Sequence, residues 1–304
     1  MTDYAINTTK LCKKYGSTWG LKGSTFKVKR GELAVLVGPN GVGKTTTVRI
    51  LTTFTKPSDG KAEVLGMDVT RDYKNIRKRI AYLPQGFEVN NNLTPMESVK
   101  WSLVAKGCRL SDAKTRSEKW MQMMGLEKCQ NRVGWTLSGG EKRKVAVSMT
   151  LATDAEVVFL DEPTTGLDVE ARHIIWKIIR ELVSNGTTVL LTTHDMEEGE
   201  TIADSAVLMN HGKTVSQNTP QSLVNVLPYK YRVTIEKDGL GEVKVPEAID
   251  LGDRLIIYAQ SDEEARSLMA DLSDESMILS VGKVGLEDAY LYLINNGEMP
   301  ACSG

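Results

Sequence analysis

Leu33-Ala34-Val35-Leu36-Val37 runs straight into Gly38-Pro39-Asn40-Gly41-Val42-Gly43-Lys44-Thr45-Thr46, and this stretch decides the fold. An apolar run without alternation predicts a strand buried on both faces of a parallel sheet. Gly38 to Thr45 follow the spacing G-x-x-x-x-G-K-[ST]. Glycines at those positions let backbone N–H groups point inward at close range, making a concave nest for phosphate oxygens. A helix opening at Lys44 adds its unpaired N–H groups and the positive end of its dipole. The Lys44 ammonium can reach the outer phosphates, and the Thr45 hydroxyl can ligate Mg²⁺. With a buried strand entering and a helix leaving, the stretch reads as a nucleoside triphosphate site rather than an accidental glycine-rich turn.

Working outward, two further continuous apolar runs follow, Val157-Val158-Phe159-Leu160 and Thr188-Val189-Leu190-Leu191, with helical stretches such as Val169 to Leu182 between them. Buried strands alternating with helices imply an α/β sheet with crossovers. Residues 94–137 differ, showing no strand pattern. Thr94-Pro95-Met96-Glu97 is a capping box with Pro at the first helical position, and Ser111 to Met124 predicts a second helix stopped by Gly125. This region, about 88–140 with its flanks, reads as a helical insertion. On the N-terminal side, Tyr4-Ala5-Ile6 and Ser24 to Val28 read as short strands joined by turns.

Past Pro228 the pattern changes again. Tyr231, Val233 and Ile235 alternate with polar residues, as in a half-exposed strand. Leu255 to Tyr258 and Met277 to Val281 read as strands, with helices from Ser261 to about Leu272 and from Leu286 to Ile294. The expected division is therefore a main domain over 1–224 and a small α+β domain over 225–304 ending in a flexible tail.

The strand Val157 to Leu160 leads into Asp161-Glu162-Pro163. Ligands of open α/β sheets sit beyond the carboxyl ends of the strands, where these acids fall. Asp161 suits the shell of Mg²⁺, and Glu162 can take a proton from an attacking water. An acidic turn after a core strand is the plain alternative, and the phosphate loop tips the balance to chemistry. Leu137-Ser138-Gly139-Gly140-Glu141 can likewise be a capping box opening a helix from Lys142 to about Leu151. Two glycines behind that cap nevertheless leave bare N–H groups at a positive helix end, a second anion site in one chain. One triphosphate does not need two such sites from one subunit, so the second serves the nucleotide of another subunit.

Composition limits the remaining classes. The 304 residues carry a formal net charge of −1, which gives no whole-molecule attraction to nucleic acid or anionic lipid. The basic clusters Arg77-Lys78-Arg79 and Lys142-Arg143-Lys144 read as solvated helix faces. Cys12, Cys108, Cys129 and Cys302 have no metal-like spacing and fit a reducing compartment. No apolar run approaches the roughly 18 residues needed to span a bilayer, and no secretory leader is visible. A cytoplasmic chain results, reaching a membrane only through a partner.

Taken in order along the chain, these motifs resemble those of the ABC (ATP-binding cassette) ATPases, from about residue 4 to about residue 220. Gly38 to Thr45 match the Walker A loop and Gln85, in Tyr82-Leu83-Pro84-Gln85, matches the Q-loop glutamine. Leu137 to Glu141 match the family signature, Asp161 and Glu162 the Walker B acid and catalytic glutamate, and Gly166-Leu167-Asp168 the D-loop. His194, in Thr192-Thr193-His194-Asp195, matches the switch histidine, and Tyr15 falls where the family stacks an aromatic on adenine. The resemblance implies an α/β fold: a P-loop NTPase parallel-sheet core with N-terminal antiparallel strands, a helical insertion and the small C-terminal α+β domain. It implies ATP and Mg²⁺ as ligands, with Gln85 on the metal, His194 at the γ-phosphate and Asp168 beside the nucleotide. On the residues alone, a single His after a buried strand is more often a satisfied core side chain, and His173 and His211 match no motif.

Two readings follow from that resemblance. In the first, the chain is the energy-coupling subunit of a membrane transporter, partnered by a second ABC ATPase subunit and by transmembrane permease subunits, on the cytoplasmic face and without nucleic acid. In the second, it is a soluble ABC ATPase that remodels or regulates a macromolecule. Double-cassette chains and long coiled coils mark that second group, whereas here one cassette is present and only 52 residues lie between Gln85 and Ser138. The ending Gly285-Leu286-Glu287-Asp288-Ala289-Tyr290 is similar to the ATPase subunits of drug and antibiotic exporters, and it can also be any helix start. Ser148-Met149-Thr150-Leu151 and Ala152-Thr153-Asp154 depart from the family's usual wording after the signature.

Overall fold

The computed structural model describes residues 3–236, 249–250, 252–271 and 278–295. Its centre is a six-stranded sheet in the order β10 (Lys213–Asn218), β9 (Ser205–Asn210), β3 (Leu33–Val37), β8 (Thr188–Thr193), β7 (Val157–Asp161) and β6 (Ile80–Leu83). All are parallel except β10, which pairs antiparallel with β9. Alternate side chains of each central strand enter different cores, as the two-residue period of a strand requires. Leu33, Val35 and Val37 face one cluster with Val158, Leu160, Val189 and Leu191. Ala34 and Leu36 face the other with Val157, Phe159 and Leu190. Both faces are covered, which is why the middles of these strands are apolar and their polar residues stand at the ends.

The second core is closed by a four-stranded antiparallel sheet, β2 (Thr18–Lys29), β1 (Tyr4–Tyr15), β4 (Asp59–Val64) and β5 (Met67–Asp68), and by α1 (Lys44–Leu51) and α2 (Tyr73–Arg79). The first two strands run 12 residues each, far longer than the short strands expected. Their pairing slips between Thr8 and Leu11 and again between Lys13 and Lys14, and Lys10 has a φ of 47°. Each slip resets the alternation, so the in–out pattern is lost on reading through.

The first core is covered by α3 (Pro95–Ala105), α4 (Leu110–Met123), α5 (Gly139–Leu151), α6 (Val169–Ser184), α7 (Met196–Ile202) and α8 (Pro220–Val224). No strand interrupts residues 94–137, as the sequence predicts. Thr94 does cap α3 in a full capping box with Glu97. Ser138 caps α5 in the same way, so that helix begins at Gly139 rather than Lys142.

Arg77 and Lys78 are exposed, as a solvated helix face requires, and the exception is Arg143 in the second cluster. Arg77 donates to the Thr53 hydroxyl and carbonyl at 2.8 Å each, Arg79 forks onto Glu156, and Arg143 turns inward. The long arginine stems of Arg77 and Arg143 carry their guanidinium groups to the Thr53 and Pro163 carbonyls.

Residues beyond α8 form a third sheet, β12 (Ile249–Asp250), β13 (Arg254–Ala259), β11 (Tyr231–Glu236) and β14 (Ile278–Lys283), with α9 (Asp262–Asp271) packed on β11 and β13. The last helix, α10 (Leu286–Ile294), leaves that sheet and packs on α7 and α8. Leu286 and Tyr290 belong to the main core, and a Cβ at Gly199 would meet Val37 at 2.9 Å and Leu286 at 3.5 Å. The flexible tail expected at the C-terminus lies outside the described residues.

Leu286-Glu287-Asp288 is more than a helix start. Asp288, 1% exposed, accepts from the Tyr258 hydroxyl at 2.6 Å, the Gly285 amide at 2.8 Å and Arg232 at 3.3 Å, while the Leu286 amide donates to Glu200 of α7 at 2.8 Å. Burial, with the neighbouring Asp288 carboxylate, pushes the Tyr258 phenol up, so it stays a donor at any working pH. Asp288→Ala strands the buried Tyr258 hydroxyl and removes the acceptor of the half-buried Gly285 amide and Arg232, and the expected loss is about 2–3 kcal/mol of unfolding free energy, read from urea denaturation. A loss below about 0.5 kcal/mol would show the network to be ornamental.

Candidate active site

Parallel pairing aligns four functional segments along one edge of the central sheet. Val37, which leads to the phosphate loop, pairs with Thr193, which leads to His194. Thr192 pairs with Asp161, and Leu160 pairs with Leu83, which leads to Gln85. The loop between β3 and α1 depends on its glycines: Gly38 has a φ of 155° and Gly43 one of 107°. A Cβ at Gly43 would lie 2.5 Å from the Gly20 carbonyl, and one at Gly38 would lie 2.4 Å from the Met209 carbonyl. Side chains are excluded at both points, so the loop backbone folds as a tight cradle running through Pro39, Asn40, Gly41 and Val42.

Lys44 is buried at the first residue of α1, with its ammonium on the carbonyls of Gly38 at 2.5 Å and Pro39 at 2.9 Å. Burial pulls its pKa down, and the carboxylates of Glu162 and Asp161 oppose that pull. The Thr45 hydroxyl donates to Asp161 Oδ1 at 3.2 Å, and the Thr192 hydroxyl donates to the same oxygen at 2.5 Å. Asp161 is fully buried, and among the described residues its Oδ2 has no hydrogen-bond partner. An ionised oxygen buried without a donor is the natural ligand of a hard cation. The set of Thr45 hydroxyl, Asp161 carboxylate and Gln85 amide is all oxygen, as Mg²⁺ prefers.

Glu162 follows in the left-handed region, φ 52°, which costs a non-glycine residue about 1 kcal/mol or more. Its amide donates to the Thr192 carbonyl at 3.1 Å and its carbonyl accepts from Arg143 at 2.5 Å, which hold it there. The turn sends its carboxylate away from that of Asp161 and toward Gln85 Nε2 at 3.2 Å, the Thr165 hydroxyl at 3.2 Å and His194 Nδ1 at 3.3 Å. His194 is not a satisfied core residue: its side chain is 49% exposed and faces the nearly enclosed Glu162. His173 packs against Trp176, with ring centroids 5.3 Å apart.

Tyr15, half-exposed, lies beside the start of α1: a Cβ at Gly20 would come within 3.2 Å of its ring and 3.3 Å of the Thr46 hydroxyl. Of Ser138, Gly139 and Gly140, Gly139 lines a different cleft, together with Gln85, Arg143, Glu162 and Gly166. Ser138 and Gly139 are exposed, and the Ser138 hydroxyl serves the Glu141 amide. Asp168 caps α6 by accepting from the Ala171 amide at 2.8 Å. Three residues with no expected part in the site complete it: Thr192 and Thr165 hydrogen-bond the two acids, and Arg143 binds their backbone. Arg143 stands four residues past Gly139 and shares that residue's helix face, but its carbonyl partners 18 to 20 residues away leave no mark in the spacing.

Fold and site together define a P-loop ATPase cassette. The model of the ABC transporter family matches residues 21–165. The chain is 31% identical over 303 residues to the daunorubicin/doxorubicin resistance ATP-binding protein DrrA of Streptomyces peucetius, covering 95% of this chain and 92% of the relative. It is 35% identical over 219 residues to the Nod factor export ATP-binding protein I of Ralstonia nicotianae, covering 72% and 68%. A solved ATP-binding subunit of an ABC transporter superposes with a TM-score of 0.67 at 26% identity, over 73% of this chain and 92% of that one. The chain belongs to the ABC transporter family, as an ATP-binding and ATP-hydrolysing subunit. Among the described residues no helix is long and apolar enough to cross a membrane.

Proposed function

We propose that this chain powers an exporter by closing head-to-tail with a second ATPase subunit, a copy or a homologue, on two ATP molecules. The observation that carries the exporter reading is the length of the match to the daunorubicin/doxorubicin resistance relative, which runs through the C-terminal sheet and not only the cassette. Residues 38–46 cradle the phosphates of one ATP, with Lys44 on the outer ones and Tyr15 against the adenine. Capped by Ser138, Gly139 and Gly140 present first-turn N–H groups of α5, which have no partner within the helix, to the γ-phosphate held by the other subunit. Asp168 then lies near the shared boundary, its carboxylate fixing the D-loop through the cap on α6.

Mg²⁺ would be held by Thr45, Asp161 and Gln85, where it supplies charge neutralisation to the phosphates. Glu162 orients and deprotonates the attacking water, and His194 steadies the γ-phosphate from the far side of that carboxylate. ATP binding drives closure; hydrolysis releases it. The chain works at the cytoplasmic face of a membrane, where closure pushes on separate transmembrane permease subunits through the groove near Gln85 and α3. Nucleic acid has no place in this cycle.

The test is affinity purification of the tagged Glu162→Gln chain from gently solubilised native membranes with ATP. A polytopic membrane protein in the eluate is the expected result. Recovery of only soluble protein or nucleic acid would overturn the exporter reading in favour of a remodelling ATPase.

A further inference from the structure

Arg143 makes contacts that no part of the cycle above requires. Its Nε donates to the Pro163 carbonyl at 2.9 Å, and its Nη2 to the carbonyls of Glu162 at 2.5 Å and Asp161 at 3.3 Å. Three consecutive carbonyls at the end of β7 thus converge on one planar guanidinium, a geometry that an ammonium cannot reproduce. Burial pulls its pKa down, and Asp161 and Glu162 compensate, so the cation sits in a desolvated place. The middle carbonyl belongs to Glu162, whose amide is bound on the opposite side by Thr192. Clamped from both sides, the left-handed backbone of Glu162 has one orientation, and its carboxylate reaches Gln85, Thr165 and His194 from it.

The clamp comes from a particular helix. Arg143 lies on α5, whose first turn is Ser138-Gly139-Gly140. That turn is itself braced: Glu141 pairs with Arg132 at 3.3 Å, and Lys142 donates to Asn91 at 3.0 Å.

We propose that Arg143 is a positioning residue that aims the Glu162 carboxylate at the attacking water, and does so from the helix whose first turn meets the partner's nucleotide. The inference rests on the head-to-tail reading and deepens it: the turn that serves one ATP and the carboxylate that serves the other are parts of one hydrogen-bonded piece.

Arg143→Gln and Arg143→Lys in the full chain test this by steady-state hydrolysis of Mg-ATP, with melting temperature recorded alongside. In Arg143→Gln, kcat is expected to fall roughly 10- to 100-fold, the scale of a small misplacement of a reacting group, while KM for ATP stays within about threefold. Arg143→Lys is expected to fall between that variant and the wild type, since one ammonium can serve part of the carbonyl set. The Glu162→Gln/Arg143→Gln double variant should still form an ATP-dependent dimer. A kcat within about twofold of wild type in Arg143→Gln, or in Arg143→Lys should the former not fold, overturns the proposal. So does loss of the dimer in the double variant, which would make Arg143 a brace of the signature turn alone. Failure of the single Glu162→Gln variant to dimerise would instead count against the head-to-tail reading.

Discussion

Glu162→Gln is expected to lower ATP turnover by roughly 10²- to 10⁴-fold, the range lost with a general base. Glutamine keeps the size of the side chain and one acceptor oxygen, enough for Thr165 and Gln85, which share Glu162 Oε2 at 3.2 Å each, while its amide nitrogen takes the place of the oxygen facing His194 at 3.3 Å. The backbone clamp is also kept, because the Thr192 and Arg143 contacts go to main-chain atoms. What disappears is the negative charge that accepts a proton from water. The phosphate cradle and its lysine are untouched, so nucleotide affinity should persist and the ATP-bound dimer should accumulate. Size-exclusion chromatography with and without ATP, beside a phosphate-release assay, reads both halves. Turnover at the wild-type rate would remove Glu162 from the chemistry.

Lys44→Ala is expected to fail one step earlier, at binding. The ammonium is buried and bonded to the Gly38 and Pro39 carbonyls, poised at the mouth of the cradle. Phosphate would exchange those neutral acceptors for charged ones, a stronger class of hydrogen bond. Removing a charge-assisted bond of about 1.5–3 kcal/mol weakens ATP binding by roughly 10- to 100-fold. Asp161 and Glu162 worsen the loss, because they are left without the cation that offsets their own repulsion of phosphate. Calorimetric titration of the variant with ATP measures the effect directly; an unchanged Kd would contradict the placement of Lys44 on the outer phosphates.

The sequence carried most of the central sheet because strands buried on both faces need unbroken apolar runs, and Leu33–Val37 and Val157–Leu160 have them. It carried the two acids for a related reason: a carboxylate directly after such a strand has nowhere to go but the ligand edge. The N-terminal pair was truncated in the reading because register slips near Lys10 break the two-residue period. β6 and β9 were passed over, the first being four residues long and the second ending at polar Asn210. In the site, the spacing of Ser138 and Glu141 announced the cap, but nothing local announced where Arg143 points. Its partners are main-chain carbonyls 18 to 20 residues away, which have no side-chain signature to read. His194 shows the converse: the residues alone favoured a buried histidine, and only the adjacency of β7 and β8 brings it to Glu162.

The return of α10 to the cassette has a consequence for how the chain is made. Leu286 and Tyr290 complete the same core that Val35 and Val37 begin, so the strand feeding the phosphate loop leaves the ribosome long before its last cover exists. Contacts that join the two ends of a chain are the slowest to close, since the intervening loop must give up its freedom first. Until residue 290 has emerged, apolar surface around β3 and α7 stays open to chaperones, or to premature association with another chain.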